Sequence, residues 1–357
     1  MERREFNTVI TIKRNNEIIY TSEEQWKDPL LGIKIKRTTN AINSGNITFP
    51  LEHKVIAAGG LAPYKDCIRI YRDGDIVFWG RPLLPSQTYN GSVTYQLEGE
   101  LAFLKDVCRF SAPYTVGAIR PALLGCIEAY NEDKGASTNA LFELIGETDC
   151  PTKGNNTYDF FGGWENGQSI YKCITDAGST IGLLFHYDVK SNVRRIWLRD
   201  DFFPSDGKTT FESGKNITDV KINSTSGDFA TKILAKNKDG TLERMVYDYQ
   251  SVQKYGNIIG LEEVDTSDVD ELIAYANQRL AERKKVVTEF TASAVVTPDL
   301  IPGKKYKVKI PFLGIDDEYG LTAIEEDFLN PTRSKATLSS SILTAAIASK
   351  RKISSIK

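Results

Sequence analysis

The alternation of apolar and polar residues over the first hundred positions has a period of two. Val9, Ile10 and Ile12 fall in a β-branched run across 6–13, Asn15-Asn16 is a turn signal, and Ile18-Ile19-Tyr20 follows. This predicts an opening hairpin. Ile33 and Ile35 alternate with Lys34 and Lys36, and 46–51 is another short strand. The clearest local signal is 67–80, CIRIYRDGDIVFWG. It places Ile68 and Ile70 on one face, Arg69 and Tyr71 on the other, and turns at Asp73-Gly74, where glycine accepts positive φ. A further strand is predicted at 92–97. Many short strands with turn signals imply a small sandwich or barrel.

The period changes between about 116 and 175. Leu123, Leu124 and Ile127 are spaced for a helix over 118–130, and 138–145 is a second short helical candidate. Residues 150–168 are rich in Gly, Asn and Asp and read as an exposed loop. A helix is predicted over 167–177, with Ile170, Cys173 and Ile174 on one stripe and Gly178 in the C-cap position. Strands at 181–188 and 193–199 would pair through Lys190-Ser191-Asn192. The middle of the chain is therefore α+β.

From Asn216 strands return at 217–223, 231–235 and 242–246, with a hairpin turn at Lys238-Asp239-Gly240. Ser267 with Asp270 suggests a capping box for a helix whose stripe is Val269, Leu272, Ile273, Ala276 and Leu280. Arg283, Lys284 and Lys285 stand near its end, where the helix dipole favours cations. Strands are predicted at 287–296, 304–311 and 319–326. Residues 341–349 are apolar enough for a short helix. No repeat of 20–50 residues is present.

Composition narrows the function. The chain has 357 residues, two or three domains' worth at ~100–200 residues each. Its net charge is −2, which argues against a chain-wide grip on nucleic acid or anionic lipid. No apolar run reaches the ~18 residues of a membrane span, and the N-terminal stretch lacks a leader's apolar core and cleavage site. The two histidines, His53 and His186, exclude a metal site with three histidines within one chain. The five cysteines, Cys67, Cys108, Cys126, Cys150 and Cys173, form no CxxC pair and read as reduced, mostly packed thiols.

Tests for catalysis return little. Gly207-Lys208-Thr209 ends like a phosphate loop, but Phe202 stands where such a loop needs glycine. The glycine-rich 162–167 has the wrong spacing for a dinucleotide loop and reads as a connection. There is no GxSxG elbow. His186 and Asp188 share a strand face without a visible third partner, and His53, between Glu52 and Lys54, reads as surface. The carboxylate clusters Asp200-Asp201, Asp316-Asp317-Glu318 and Glu325-Glu326-Asp327 read as solvated loops, since neighbours on a strand point to opposite faces. No catalytic, cofactor-binding or metal-binding residue is assigned. The segment after Asp327 is basic, with Arg333, Lys335, Lys350, Arg351, Lys352 and Lys357 and no carboxylate side chain.

The order of elements carries more. The run 68–81, IRIYRDGDIVFWGR, followed by 95–106, YQLEGELAFLKD, resembles the opening domain of phage tail-tip (baseplate) hub proteins, also called prophage endopeptidase tail proteins or tail-associated lysins. The segment 167–198 resembles the helix and hairpin of that family. Asn216 with 217–220, and Thr231 within 230–233, resemble its next strands. Tyr255-Gly256 and Ile258 resemble the approach to its helix. Gly303 within 302–310, and Asp327 through Pro331 within 326–331, resemble its last strand and closing segment. Lys304 departs from the family's usual acidic residue. The likeness is collinear over 5–340. Its motif positions are Asp73, Gly74, Gly80, Gly99, Asn216, Thr231, Gly256, Gly303, Asp327 and Pro331.

The resemblance implies an α+β, β-rich fold with two small β-barrel-like hub domains and α+β domains between and after them. The expected division is a first hub domain at 1–105 and an α+β domain at 106–205. A second hub segment at 206–262 would be completed by 287–330, followed by a helix plus β domain at 263–335 and a basic tail or helix at 336–357. The resemblance implies a homotrimeric virion structural protein, assembled in the bacterial cytoplasm and mounted on the tail. Such a ring adapts sixfold to threefold symmetry and gates the channel, with a distal tail ring protein, a tape-measure protein and a spike or receptor-binding component as partners. It implies no nucleic-acid sequence recognition. Long members carry a peptidoglycan hydrolase that this length leaves no room for. Two alternatives stand beside it. A tail-associated hydrolase or endopeptidase would need a nucleophile, metal or carboxylate constellation. A host-surface carbohydrate-binding module would need Trp26, Trp79, Trp164 and Trp197, or other aromatics, gathered on one sheet face.

Overall fold

The computed structural model describes residues 9–39, 41–88, 91–109, 119–134, 142–144, 168–172, 175, 184–190, 193–199, 202–204, 209–225, 229–284, 287–294 and 300–340. The chain divides into two units. The first holds 1–220 and 291–357, and the second holds 221–290.

Unit 1 is built on a curled half-barrel sheet, as the β-rich reading expects. Strands β1 (Ile10–Arg14) and β2 (Glu17–Thr21) form the predicted hairpin. Asn15 and Asn16 both take positive φ, 49° and 77°, as a two-residue turn matching the strand twist requires. β3 (Gly32–Thr38), β4 (Ser44–Pro50), β5 (Ile68–Arg72), β6 (Asp75–Thr88) and β7 (Ser92–Gly99) follow. A short helix, α1 (Lys54–Ala57), lies between β4 and β5. Asp73 (φ 51°) and Gly74 (φ 90°) make the β5–β6 turn. The inward positions Ile12, Ile33, Ile35, Ile47, Ile68 and Ile70 are all fully buried. Ile68 and Ile70 thus lie where the alternation puts them. β6 shifts register against β7 between Pro82 and Pro85, since proline has no N–H to give a ladder.

The same sheet takes in strands from the other end of the chain. β3 pairs with a strand at Ile315–Asp327, so the order runs continuously from the C-terminal strands into the N-terminal ones. Strands from 1–105 and from 287–330 therefore share one sheet, whereas 232–264, within the expected second hub segment, form a separate three-stranded sheet. The predicted strand 319–326 begins four residues earlier. Residues 335–339, part of which was read as tail or helix, form a strand beside it. Residues 341–349 lie outside the described residues.

The middle segment holds β8 (Cys108–Arg109), α2 (Ile119–Lys134), β9 (Phe142–Leu144) and β10 (Gln168–Ser169). β11 (Leu184–Lys190) and β12 (Val193–Arg199) form the expected antiparallel pair. One expectation fails here and one shifts. The helix over 138–145 is instead strand at 142–144, because that stretch pairs parallel with β12. The Asn131 side chain holds it in place, donating to the Phe142 carbonyl and accepting from the Phe142 N–H. The Tyr130 and Phe142 rings meet edge to face at 5.3 Å. The helix over 167–177 begins as strand, since 168–169 pair with 108–109, and helix is seen at 170–172 and 175. The loop 150–167, Cys150, Trp164, Cys173 and Gly178 lie outside the described residues.

β13 (Thr210–Glu212) and β14 (Ile217–Thr225) precede unit 2. Unit 2 has two layers. β15 (Lys232–Asn237) is central, flanked by β16 (Glu243–Tyr247), antiparallel, and β17 (Ile259–Val264), parallel. α3 (Tyr249–Tyr255) links β16 to β17, and α4 (Val269–Arg283) lies on one face of the sheet. Leu272, Ala276 and Leu280 of the predicted stripe pack on Ile233 and Ala235. The cap is Asp268 rather than Ser267: its carboxylate accepts from the N–H groups of Asp270 and Glu271, which carboxylate geometry does better than a hydroxyl one residue early. α3 has no buried residue and so no apolar stripe to signal it. β18 (Val287–Ala294), β19 (Lys305–Ile310), β20 (Ile315–Asp327) and β21 (Lys335–Ser339) complete the chain.

Candidate functional site

The β3–β20 seam carries the most unusual chemistry in unit 1. Glu326 lies opposite Ile35 in the ladder, so it points inward with the isoleucines and is only 1% exposed. Arg37 donates to one carboxylate oxygen at 2.8 Å, and Arg72, from β5, donates to the other. The Arg72 guanidinium also lies over the Phe328 ring at 4.8 Å. The reading of Glu325-Glu326-Asp327 as solvated carboxylates is thereby corrected. Asp327 is buried as well, accepting from the Asn330 N–H and lying 3.7 Å from Lys34.

On the outer face of the same sheet, charges alternate across strands. Glu325 faces Lys36, Lys36 faces Ser44, Ser44 faces Glu98, and Glu98 faces Arg81. Arg81 is held by Glu98 at 2.7 Å and by both oxygens of Asp106. A groove of about 530 Å³ lies over this face, with Lys34, Lys36, Asn46, Gln96, Glu98 and Lys105 among its lining. Among the described residues no aromatic ring lines it.

His53 corrects the surface reading. It is 2% exposed and stacks near Phe49, with ring centroids 4.8 Å apart. Its Nδ1 accepts from the Val55 N–H as the cap of α1. Nε2 is buried without a hydrogen-bond partner, and burial holds the imidazole pKa below its ordinary value. His186 lies opposite Trp197, and Asp188 opposite Arg195. Of the cysteines whose burial is described, Cys126 is buried, and Cys67 is partly exposed and accepts from the Trp79 indole. Among the described residues no three His, Cys, Asp or Glu side chains group as metal ligands.

The family-motif positions are mostly dispersed. Two pairs come together. Gly80 and Gly99 are cross-strand partners, and a Cβ at either would press on backbone or the Asn43 side chain. The Thr231 hydroxyl donates to the Gly256 carbonyl and accepts from the Ile258 N–H, tying β15 to the start of β17. The Asp73 carboxylate accepts from the Val9 N–H. The Asn216 side chain accepts from the Glu212 N–H and donates to the Thr210 carbonyl, closing the β13–β14 turn. Gly303 has φ 97°, and Pro331 opens a 3₁₀ turn.

Unit 2 supplies a feature no motif pointed to. α4 seals only one face of its sheet. The opposite face presents cross-strand rows Tyr247–Lys232–Ile259, Met245–Leu234–Leu261 and Glu243–Lys236–Glu263. Leu261 is 72% exposed and Tyr247 63%, with Ile259 and Met245 also open. A contiguous exposed apolar row is a candidate interaction surface. On the sealed face Glu262 joins Arg279 and Arg283; burial opposes its charge, but the two guanidinium groups keep its pKa below the usual carboxylate range. Of the tryptophans, Trp26 is exposed and Trp79 buried under Arg69, so these two share no platform.

The comparisons agree with this geometry. The family model described as "Prophage endopeptidase tail" matches residues 205–347. The tail protein of Neisseria meningitidis MC58 superposes with a TM-score of 0.63 at 12% identity, covering 93% of this chain and 95% of that one. The 43 kDa tail protein of prophage MuSo2 from Shewanella oneidensis gives 0.62 at 14% identity, over 93% and 97%. The prophage tail protein gp18 of Listeria monocytogenes EGD-e gives 0.54 at 13% identity, over 97% and 98%. Among curated proteins none matches by sequence. No described helix is long and apolar enough to cross a membrane. The resemblance read from the sequence therefore holds in sequence over 205–347, and the fold of nearly the whole chain is similar to that of these phage and prophage tail proteins.

Proposed function

We propose that this chain is a tail-tip hub whose work is structural rather than catalytic. In this reading three copies form a ring that caps the tail tube, adapts its symmetry and gates its channel. The observation that carries the reading is the continuous sheet through β3 and β20, which welds the N-terminal and C-terminal halves into one curved wall. A wall of that kind suits a ring segment: it is stiff, curved and closed on its inner side by packed isoleucines. In this reading residues 1–105 supply one barrel-like module of the wall and 206–220 with 287–330 supply strands of the other, while 232–264 form the separate sheet of unit 2.

The fold likeness extends to Escherichia coli c3393, described as a type VI secretion component similar to T4 tail proteins gp27 and gp5, at a TM-score of 0.52 and 11% identity. This supports a place on a tail or tail-derived device, next to a distal ring protein, a tape-measure protein and a spike. Assembly would take place in the bacterial cytoplasm. Native mass spectrometry with negative-stain imaging tests the proposal. The expected result is a particle of three times 39.8 kDa with a central opening. A chain that stays monomeric at high concentration and on purified tail tubes would sink it. A clearing zone on a peptidoglycan zymogram would instead favour the hydrolase alternative.

A further inference from the structure

The open face of unit 2 has a polarity along its strands as well as an apolar surface. Its first two rows offer Tyr247, Ile259, Met245 and Leu261. Its third row ends in Glu243 and Glu263, and beyond it 264–271 carries Asp265, Asp268, Asp270 and Glu271 with no lysine or arginine. Lys236 pairs with Glu243 and Lys238 with Asp265, which leaves that end with an excess of negative charge. A matching occupant would be apolar first and basic second.

Segment 341–357, SILTAAIASKRKISSIK, which follows β21, has that order. Leu343, Ala346 and Ile347 are apolar at helical spacing. Lys350 and Arg351 continue the same stripe, Lys352 and Lys357 add charge, and no carboxylate side chain is present. In a helical reading, Leu343 and Arg351 are about 12 Å apart along the axis. From the Tyr247 row to the Glu243 row is four residues of strand, about 14 Å. The two lengths match, so apolar contacts and charge pairs can form together.

We propose that the open face of unit 2 receives segment 341–357 of a second copy of this chain. The proposal rests on the trimeric reading above. A ring uses head-to-tail contacts, in which one surface of each copy meets a different surface of the next. A segment handed around the ring is such a contact. It covers the apolar rows and brings cations to the acidic end.

The test uses the full chain with Leu261→p-benzoylphenylalanine, tolerated because that side chain is exposed. ¹⁴N- and ¹⁵N-labelled chains are mixed under denaturing conditions, refolded, irradiated and read by peptide mass spectrometry. The same sample is weighed by native mass spectrometry. The expected product joins position 261 of one isotope to a peptide within 341–357 of the other. The variant carrying Lys350→Glu, Arg351→Glu and Lys352→Glu should lower its yield by at least about tenfold. Cross-links confined to one isotope, cross-links to any other segment, or none at all overturn the inference. A trimer without the inter-isotope product overturns it while leaving the hub reading in place. A monomer overturns both.

Discussion

The inner side of the unit 1 sheet and the outer side of the unit 2 sheet depart from the usual pattern in opposite directions. In unit 1 a carboxylate and two guanidinium groups lie among isoleucines, and in unit 2 leucine, tyrosine, isoleucine and methionine lie in solvent. The buried charges are tolerable because Glu326 is bonded on both oxygens. The exposed apolar rows have nothing comparable within their own unit, whose helix is already committed to the other face. The contrast separates a sheet face finished on folding from one that folding leaves open.

The largest expected effect breaks the finished side. Glu326→Ala leaves Arg37 and Arg72 buried without their anion and should cost unit 1 about 3–5 kcal/mol. Hydrogen exchange of strands 32–38 and 315–327 in urea reads it directly. Replacing all three together, Arg37→Leu, Arg72→Met and Glu326→Met, should recover most of that loss, since well-packed apolar groups often replace buried ion networks without penalty. A loss under about 1 kcal/mol for Glu326→Ala would mean that the seam is not held by this triad.

Next comes a pair within unit 2. Leu272→Ala removes a fully buried side chain from the α4 contact and should destabilise 229–284 by about 2–5 kcal/mol. Leu261→Ala, on the opposite face, should change stability by less than about 0.5 kcal/mol in isolated chains. Equal losses from the two, measured by urea unfolding of the monomer, would show that the open face is sealed within its own chain and end the contrast.

A smaller effect tests a local correction. Asp268→Ala removes the α4 cap and should cost about 1 kcal/mol, while Ser267→Ala should be nearly silent. The one-residue slip in the sequence reading illustrates what was legible. Asn15-Asn16 and Asp73-Gly74 announced their hairpins because turn conformation is set by adjacent residues. The α4 stripe was legible for the same reason, since its packing residues recur within one helix. Glu326 was not, because its partners are 254 and 289 positions away and three consecutive carboxylates look solvated. The 138–145 segment read as helix because parallel pairing with β12 has no local signature. The Lys238-Asp239-Gly240 turn marked 242–246 as strand, but no turn signal says which of two sheet faces a distant helix will cover.

The smallest expected effect is a pH dependence confined to unit 1. His53 is neutral in the fold: burial disfavours its cation, the Asp28 charge only partly offsets this, and the Lys54 charge adds to it. Its folded pKa therefore lies below the unfolded value of about 6.5. The unfolded chain then binds more protons below that value, so stability falls as pH drops from about 6.5 toward the folded pKa. Protonation would also remove the Nδ1 lone pair that caps α1. Melting curves of wild type and His53→Gln between pH 7.5 and 5 isolate this effect, and Asp248, whose pKa of about 2 is set first by its hydrogen bond from Lys284, stays ionised throughout that range. The wild-type melting temperature should decline over that interval, and the His53→Gln curve should be flatter although lower at pH 7.5. Parallel curves would show that the buried imidazole takes up its proton without disturbing the wall.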